Sequence, residues 1–150
     1  MNRLLSIPIT LAALAAALPA AAQFQKPEDA VRYRQGVMRV MGEHFGRIGA
    51  MVNGRVPYDP AAVQANAAIT TMLSKLPFAA FGPGTDTGDT RAKPDIWTET
   101  AKFKAAASKM QDEMAKLNAA AQGGNQDQVK TAFGATGAAC KACHDDFRKK

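Results

Sequence analysis

Apolar residues recur every three or four positions from residue 30 to residue 51: Ala30, Tyr33, Val37, Met41, Phe45, Ile48 and Met51. That interval returns each side chain to one face of an α-helix, so the spacing predicts a first helix. Lys26-Pro27-Glu28-Asp29 marks its start, with proline suited to the first turn and two carboxylates facing the positive end of the helix dipole; Asn53-Gly54 marks its end. Asp59-Pro60 repeats the start signal, and Val63, Ala67, Thr70, Leu73 and Leu76 form a shorter stripe that Pro77 stops. Residues 77 to 94 are rich in glycine and proline. A loop of that length is uncommon inside a domain, so Phe78 and Phe81 are expected to fold back onto the body. A third helix is expected from near Asp95. It carries Ile96, Phe103, Met110 and Leu117 at one seam position of a heptad, and Thr100, Ala107, Met114 and Ala121 at the other. Gly123-Gly124 ends it, Asn125 caps a fourth, and Val129, Phe133, Thr136, Cys140 and either Cys143 or His144 lead down one face to Phe147. No stretch alternates strictly enough to predict a strand. Four amphipathic helices joined by two short connections and one longer loop predict an all-α fold, an antiparallel four-helix bundle.

The first 22 residues follow another pattern. Met1-Asn2-Arg3 precedes an apolar run from Leu4 to Leu18, and Pro19-Ala20-Ala21-Ala22 follows it, which are the three parts of a cleavable secretory signal. A membrane anchor fits less well, because Pro8 and Pro19 interrupt a run already short for spanning a bilayer. The expected organisation is a signal peptide over residues 1–22 and one exported, periplasmic domain over residues 23–150.

Composition exposes a shortage in that domain. The chain holds 31 alanines, and Leu, Ile, Val and Phe number only 20 of the 128 residues after the leader, a level associated with weak cores. The formal charge of +6, or +5 without Arg3, favours acidic partners mildly and does not demand nucleic acid.

Both cysteines and one of two histidines fall in a single pentapeptide, Cys140-Lys141-Ala142-Cys143-His144, the spacing of c-type haem attachment. Residues at i, i+3 and i+4 share a helix face. Two thiols can therefore form thioethers with the haem vinyl groups while the imidazole meets the iron. A thioredoxin-like pair would instead open a helix after a strand, and a zinc site would need a fourth ligand, for which His44 is the only other histidine. His44 reads as a residue at the border of the first helix's buried face. Met41, Met51, Met110 and Met114 read as core filler.

An exported helical chain with Cys-x-x-Cys-His near its C-terminus resembles the class II c-type cytochromes, in particular the cytochrome c′ family. The likeness runs through Tyr33-Arg34-Gln35, through residues 76–84 (LPFAAFGPG) and through residues 140–148 (CKACHDDFR). The resemblance implies an up-down-up-down bundle around one covalent haem c, attached at Cys140 and Cys143, with His144 as axial iron ligand. It implies a five-coordinate, high-spin iron whose other side is closed by a first-helix side chain, here Met38. It implies haem contacts from Arg34, at a propionate, from Gln35 and from Asp89. Arg148, read as one turn beyond His144 on the same face, would sit beside the proximal imidazole. The implied partners are nitric oxide, carbon monoxide, redox proteins and a second copy of the chain.

Two other readings stay open at this stage. Met38 could ligate the iron through its thioether, as in low-spin members of the class, giving a plain electron carrier. A peroxidase or nitric oxide-consuming enzyme would need a distal acid or base, and only the more remote Glu43 and His44 offer one.

Overall fold

Proline at the first helical position, where its missing N–H is not needed, opens α1 (Pro27–Val52), with Glu28 and Asp29 in the first turn. The computed structural model describes residues 24–150, so the leader expected over residues 1–22 lies outside the described residues. α1 stops at Asn53, and Gly54 follows at φ 69°, a left-handed conformation that glycine adopts without strain.

Asp59 caps α2 (Pro60–Leu73) by accepting the N–H groups of Ala61 and Ala62 at 2.9 and 3.2 Å. α2 ends at Ser74 rather than running on to Pro77. The Ser74 hydroxyl donates to Thr71 O at 2.8 Å, competing with the helix backbone, and a 3₁₀ turn over Pro77–Ala80 follows. Leu76 therefore leaves the stripe on which the spacing had set it and stands 40% exposed.

The single third helix expected from Asp95 is two segments. One turn, α3 (Asp95–Thr98), is separated from α4 (Thr100–Gly123) by Glu99 at φ −110°, ψ 47°. The break aims the Trp97 indole at the preceding loop, where its Nε1–H donates to Phe81 O and Gly82 O at 3.1 and 2.9 Å. The heptad seam survives it. Ile96, Phe103, Met110 and Leu117 are buried, as are Ala107, Met114 and Ala121, while Thr100, at the break, is exposed. Gly124 at φ 73° ends α4, and Asn125 caps α5 (Gln126–Phe147) by accepting the Gln128 N–H at 3.0 Å.

The four long helices, α1, α2, α4 and α5, form the antiparallel bundle. At one end Ile48, Met51, Val52, Val63, Leu117, Ala121 and Val129 make a conventional core, in which each large side chain contributes about 1.5–3 kcal/mol by leaving water. Small residues bring the backbones close: a Cβ on Gly49 would lie 2.7 Å from the Phe133 ring, which stacks on Phe45 at 4.3 Å. Buried hydroxyls find partners across helices, Thr71 donating to Met114 O and Thr136 to Glu113 O, both at 3.1 Å. Toward the other end the filling changes to methionines and aromatics, and there the candidate site lies. Among the described residues the only sheet-like pairing is an isolated bridge between Ala92 and Arg148.

Candidate functional site

Cys140, Cys143 and His144 occupy the last two turns of α5. Both cysteines are unbridged and half-buried, and His144 is exposed on one side. Cys140 packs with Met38, Phe45, Leu73 and Phe78 against the buried cluster of Met41, Met110, Met114 and Ala139. Cys143 packs against a second cluster, Ile96, Phe103 and Phe147, which Phe81 and Trp97 also join. Phe78 touches both clusters. The pentapeptide therefore borders one continuous apolar region, and Met38 of α1 borders the same region as Cys140.

Burial raises both thiols above the usual cysteine range, so they are held protonated. The His144 imidazole moves the other way, pushed below the usual histidine range by partial burial and then by the nearby Arg148 cation. A neutral imidazole is the form that binds a metal.

That donor set fits haem c better than a bare ion. Among the described residues no three His, Cys, Asp or Glu side chains gather as a cage. His44 accordingly stands apart, its Nδ1 2.7 Å from Asn66 Oδ1 at the α1–α2 contact. Two thiols and one imidazole on an apolar surface suit a macrocycle that brings four of its own nitrogens. A 360 Å³ groove is lined by Phe78, Phe81, Ile96, Trp97 and Phe103 and by none of Cys140, Cys143, His144 or Met38.

Arg34, Gln35 and Asp89 come together at the loop after the 3₁₀ turn. Gln35 Nε2 donates to the backbone carbonyl of Asp89 at 2.8 Å. Arg34 is only 3% exposed, and its two terminal nitrogens donate to Ala80 O (2.8 Å), Thr85 Oγ1 (3.0 Å), Thr85 O (2.7 Å) and Thr90 Oγ1 (3.0 Å). Its guanidinium carbon lies 4.3 Å from the Phe81 ring centre. Burial lowers its pKa, and Asp86 partly offsets that. The visible work of Arg34 is thus to tie residues 80–90 to α1. Thr85, Thr90 and Trp97 complete this knot, and nothing in the spacing of polar residues singled them out.

Arg148 differs from expectation. α5 ends at Phe147, and Arg148 is extended (φ −122°, ψ 132°), so it is not on the helical face of His144. It stays close nevertheless, donating its backbone N–H to His144 O at 3.0 Å. The reason is the pairing of residues 91–93 with 147–149, which pulls the chain out of the helix.

Known proteins share this arrangement. The sequence model of the family described as Cytochrome C′ matches residues 29–148. The chain belongs to the cytochrome c′ family. Cytochrome c′ of Alcaligenes xylosoxydans xylosoxydans is 52% identical over 128 residues, covering 85% of this chain and 99% of the relative. The crystal structure of cytochrome c′ from Rubrivivax gelatinosus superposes with a TM-score of 0.83 at 50% identity, over 85% of this chain and 100% of that one. A nitric oxide complex of a mutant of cytochrome c prime from Alcaligenes xylosoxidans has a TM-score of 0.81 at 51% identity, over 85% of this chain and 99% of that one. Haem c, held covalently, is the cofactor of the cytochrome c′ family, and the fold is its four-helix bundle.

Proposed function

We propose that the chain is a periplasmic high-spin haem protein that exchanges single electrons and binds nitric oxide and carbon monoxide, and that it is not an enzyme. The observation that carries this is the shared apolar region bordered by Cys140 on α5 and Met38 on α1. Cys140 and Cys143 would hold the haem through thioethers, and the His144 imidazole would supply a nitrogen ligand to its iron. Haem c supplies an iron that changes between ferric and ferrous and can take a diatomic ligand. Met38 covers the other face, a packing role favoured by its place among apolar side chains. Arg34, Gln35 and Asp89 form the lip along the haem edge.

The described side chains packed with Met38, among them Met41, Phe45, Leu73 and Phe78, are apolar and would not stabilise bound dioxygen by a hydrogen bond, whereas carbon monoxide and nitric oxide need only displace an apolar side chain. Peroxidase chemistry needs a distal acid or base, and His44 is engaged with Asn66 while Glu43 is exposed. The relative's nitric oxide complex supports gas binding here. Export rests on the leader at residues 1–22. No helix among the described residues is long and apolar enough to cross a membrane. Pairing of two copies through α1 and α2 is supported by Val40 at 47% and Met72 at 62% exposure, and sedimentation of the haem-loaded protein tests it.

The optical spectrum of the ferrous protein before and after carbon monoxide tests the reading. A broad high-spin Soret band that sharpens with carbon monoxide is expected. A resolved low-spin α band, untouched by carbon monoxide and abolished in Met38→Leu, would show methionine ligation instead.

A further inference from the structure

Residues 91–93 run antiparallel to residues 147–149 at the end of α5. Lys149 donates its backbone N–H to Arg91 O at 2.7 Å, Lys93 donates its own to Phe147 O at 2.9 Å, and Ala92 pairs with Arg148 between them. This seam gathers Arg91, Lys93, Arg148, Lys149 and Lys150 in one patch about a turn from His144. None of the five is in an ion pair among the described residues. The adjoining carboxylates are already engaged, Asp145 by Lys141 and Asp146 by Lys102, the latter at 3.2 Å. The Lys93 ammonium is pinned on the last carbonyls of α5, donating to Asp145 O and Asp146 O at 2.7 and 2.9 Å, where a cation suits the helix dipole. The other four side chains are exposed. Five of the chain's 19 lysines and arginines thus fall in two short segments, 91–93 and 148–150, that the seam brings together.

We propose that this seam is the docking surface for an acidic electron-transfer protein, which it seats beside the His144 edge of the haem; this rests on the electron-carrier reading above. A fixed cationic patch attracts an anionic partner from a distance and orients it on arrival. The seam's backbone pairing fixes the chain segments that carry the patch, so only side chains need ordering when the partner lands. In the step served, one electron leaves the ferrous haem iron, which becomes ferric, and reduces the partner's centre by one unit. No proton or bond need move.

The test oxidises the ferrous haem-loaded protein with hexacyanoferrate(III), an anion, and separately with tris(phenanthroline)cobalt(III), a cation, at an ionic strength of about 10 mM, where screening is weak. Two double variants of equal charge change are compared: Lys149→Glu with Lys150→Glu at the seam, and Arg55→Glu with Lys130→Glu at the other end. The seam pair is expected to slow the anionic oxidant by at least about tenfold, and the distant pair by about twofold, because the Coulomb interaction falls with distance and screening. The cationic oxidant should show the reverse trend. With plastocyanin, an acidic copper electron carrier, as probe, backbone NMR shifts should cluster at residues 91–93 and 147–150 and vanish in the seam variant. Equal slowing by both pairs, or probe shifts elsewhere, would overturn the docking surface while leaving the carrier reading intact. A wild-type haem that either reagent fails to oxidise would overturn both.

Discussion

Replacing Arg34 by methionine keeps an unbranched apolar stem, though a shorter one, and removes the four hydrogen bonds to residues 80–90. Bonds from a charged donor contribute about 1.5–3 kcal/mol each, but burying the guanidinium costs several kcal/mol, and methionine removes both effects. What remains is the state of the acceptors. The Thr85 hydroxyl retains Gly82 O at 2.8 Å, so two backbone carbonyls, those of Ala80 and Thr85, lose their strong donors. An unsatisfied buried acceptor costs about 1–3 kcal/mol, so two give about 2–6 kcal/mol, toward the lower half because the Thr85 hydroxyl still reaches Ala80 O at 3.4 Å. At about 3 °C per kcal/mol for a domain of this size, the melting temperature of the haem-loaded protein should fall by about 10 °C. Arg34→Lys should fall between, since an ammonium lacks the planar fork that reaches both carbonyls and both hydroxyls. Thermal unfolding by circular dichroism measures the loss, and amide exchange should rise first in residues 82–90. A methionine variant within about 0.5 kcal/mol of wild type, with unchanged exchange in that loop, would refute the knot.

Other expectations are as direct. Without haem the chain should lose much of its far-ultraviolet helical signal, because the 20 Leu, Ile, Val and Phe of residues 23–150 leave the site end of the bundle thin; an equal signal with and without haem would contradict this. Gly49→Ala should destabilise by about 1 kcal/mol, the clash with Phe133 exceeding the gain in helix propensity. Gly46→Ala, whose Cβ meets nothing within 4 Å, should stabilise by about 0.5–1 kcal/mol, and denaturant titration of the two variants gives the opposite signs or fails the argument. Asp59→Ala removes the cap of α2 and should cost about 1 kcal/mol by the same titration.

The elements with a repeating apolar face were legible in the chain itself. α1, α4 and α5 lie where the three-or-four spacing sets them, and the caps at Asp59 and Asn125 form as the residue types predict. Local signals failed where a distant partner decides the outcome. Glu99 breaks the third helix where Trp97 bonds the carbonyls of Phe81 and Gly82, 16 and 15 residues earlier. Arg148 leaves α5 because residues 91–93 pair with its backbone. Arg34 was expected at a haem propionate, and nothing local in the chain showed that a loop about 50 residues onward closes over it and takes its hydrogen bonds. The pentapeptide was legible because its chemistry is local, whereas the residues surrounding it come from α1, α2, the 3₁₀ turn, α3 and α4.

The central claim is an iron bound by one protein side chain, His144, with Met38 packed and not bonded. X-ray absorption at the iron edge of the ferrous and ferric protein tests it without reference to ligand binding. The account predicts five nitrogen ligands, four from the macrocycle and one from His144, and no sulfur in the first coordination shell. A sulfur ligand in wild type that disappears in Met38→Leu would contradict it.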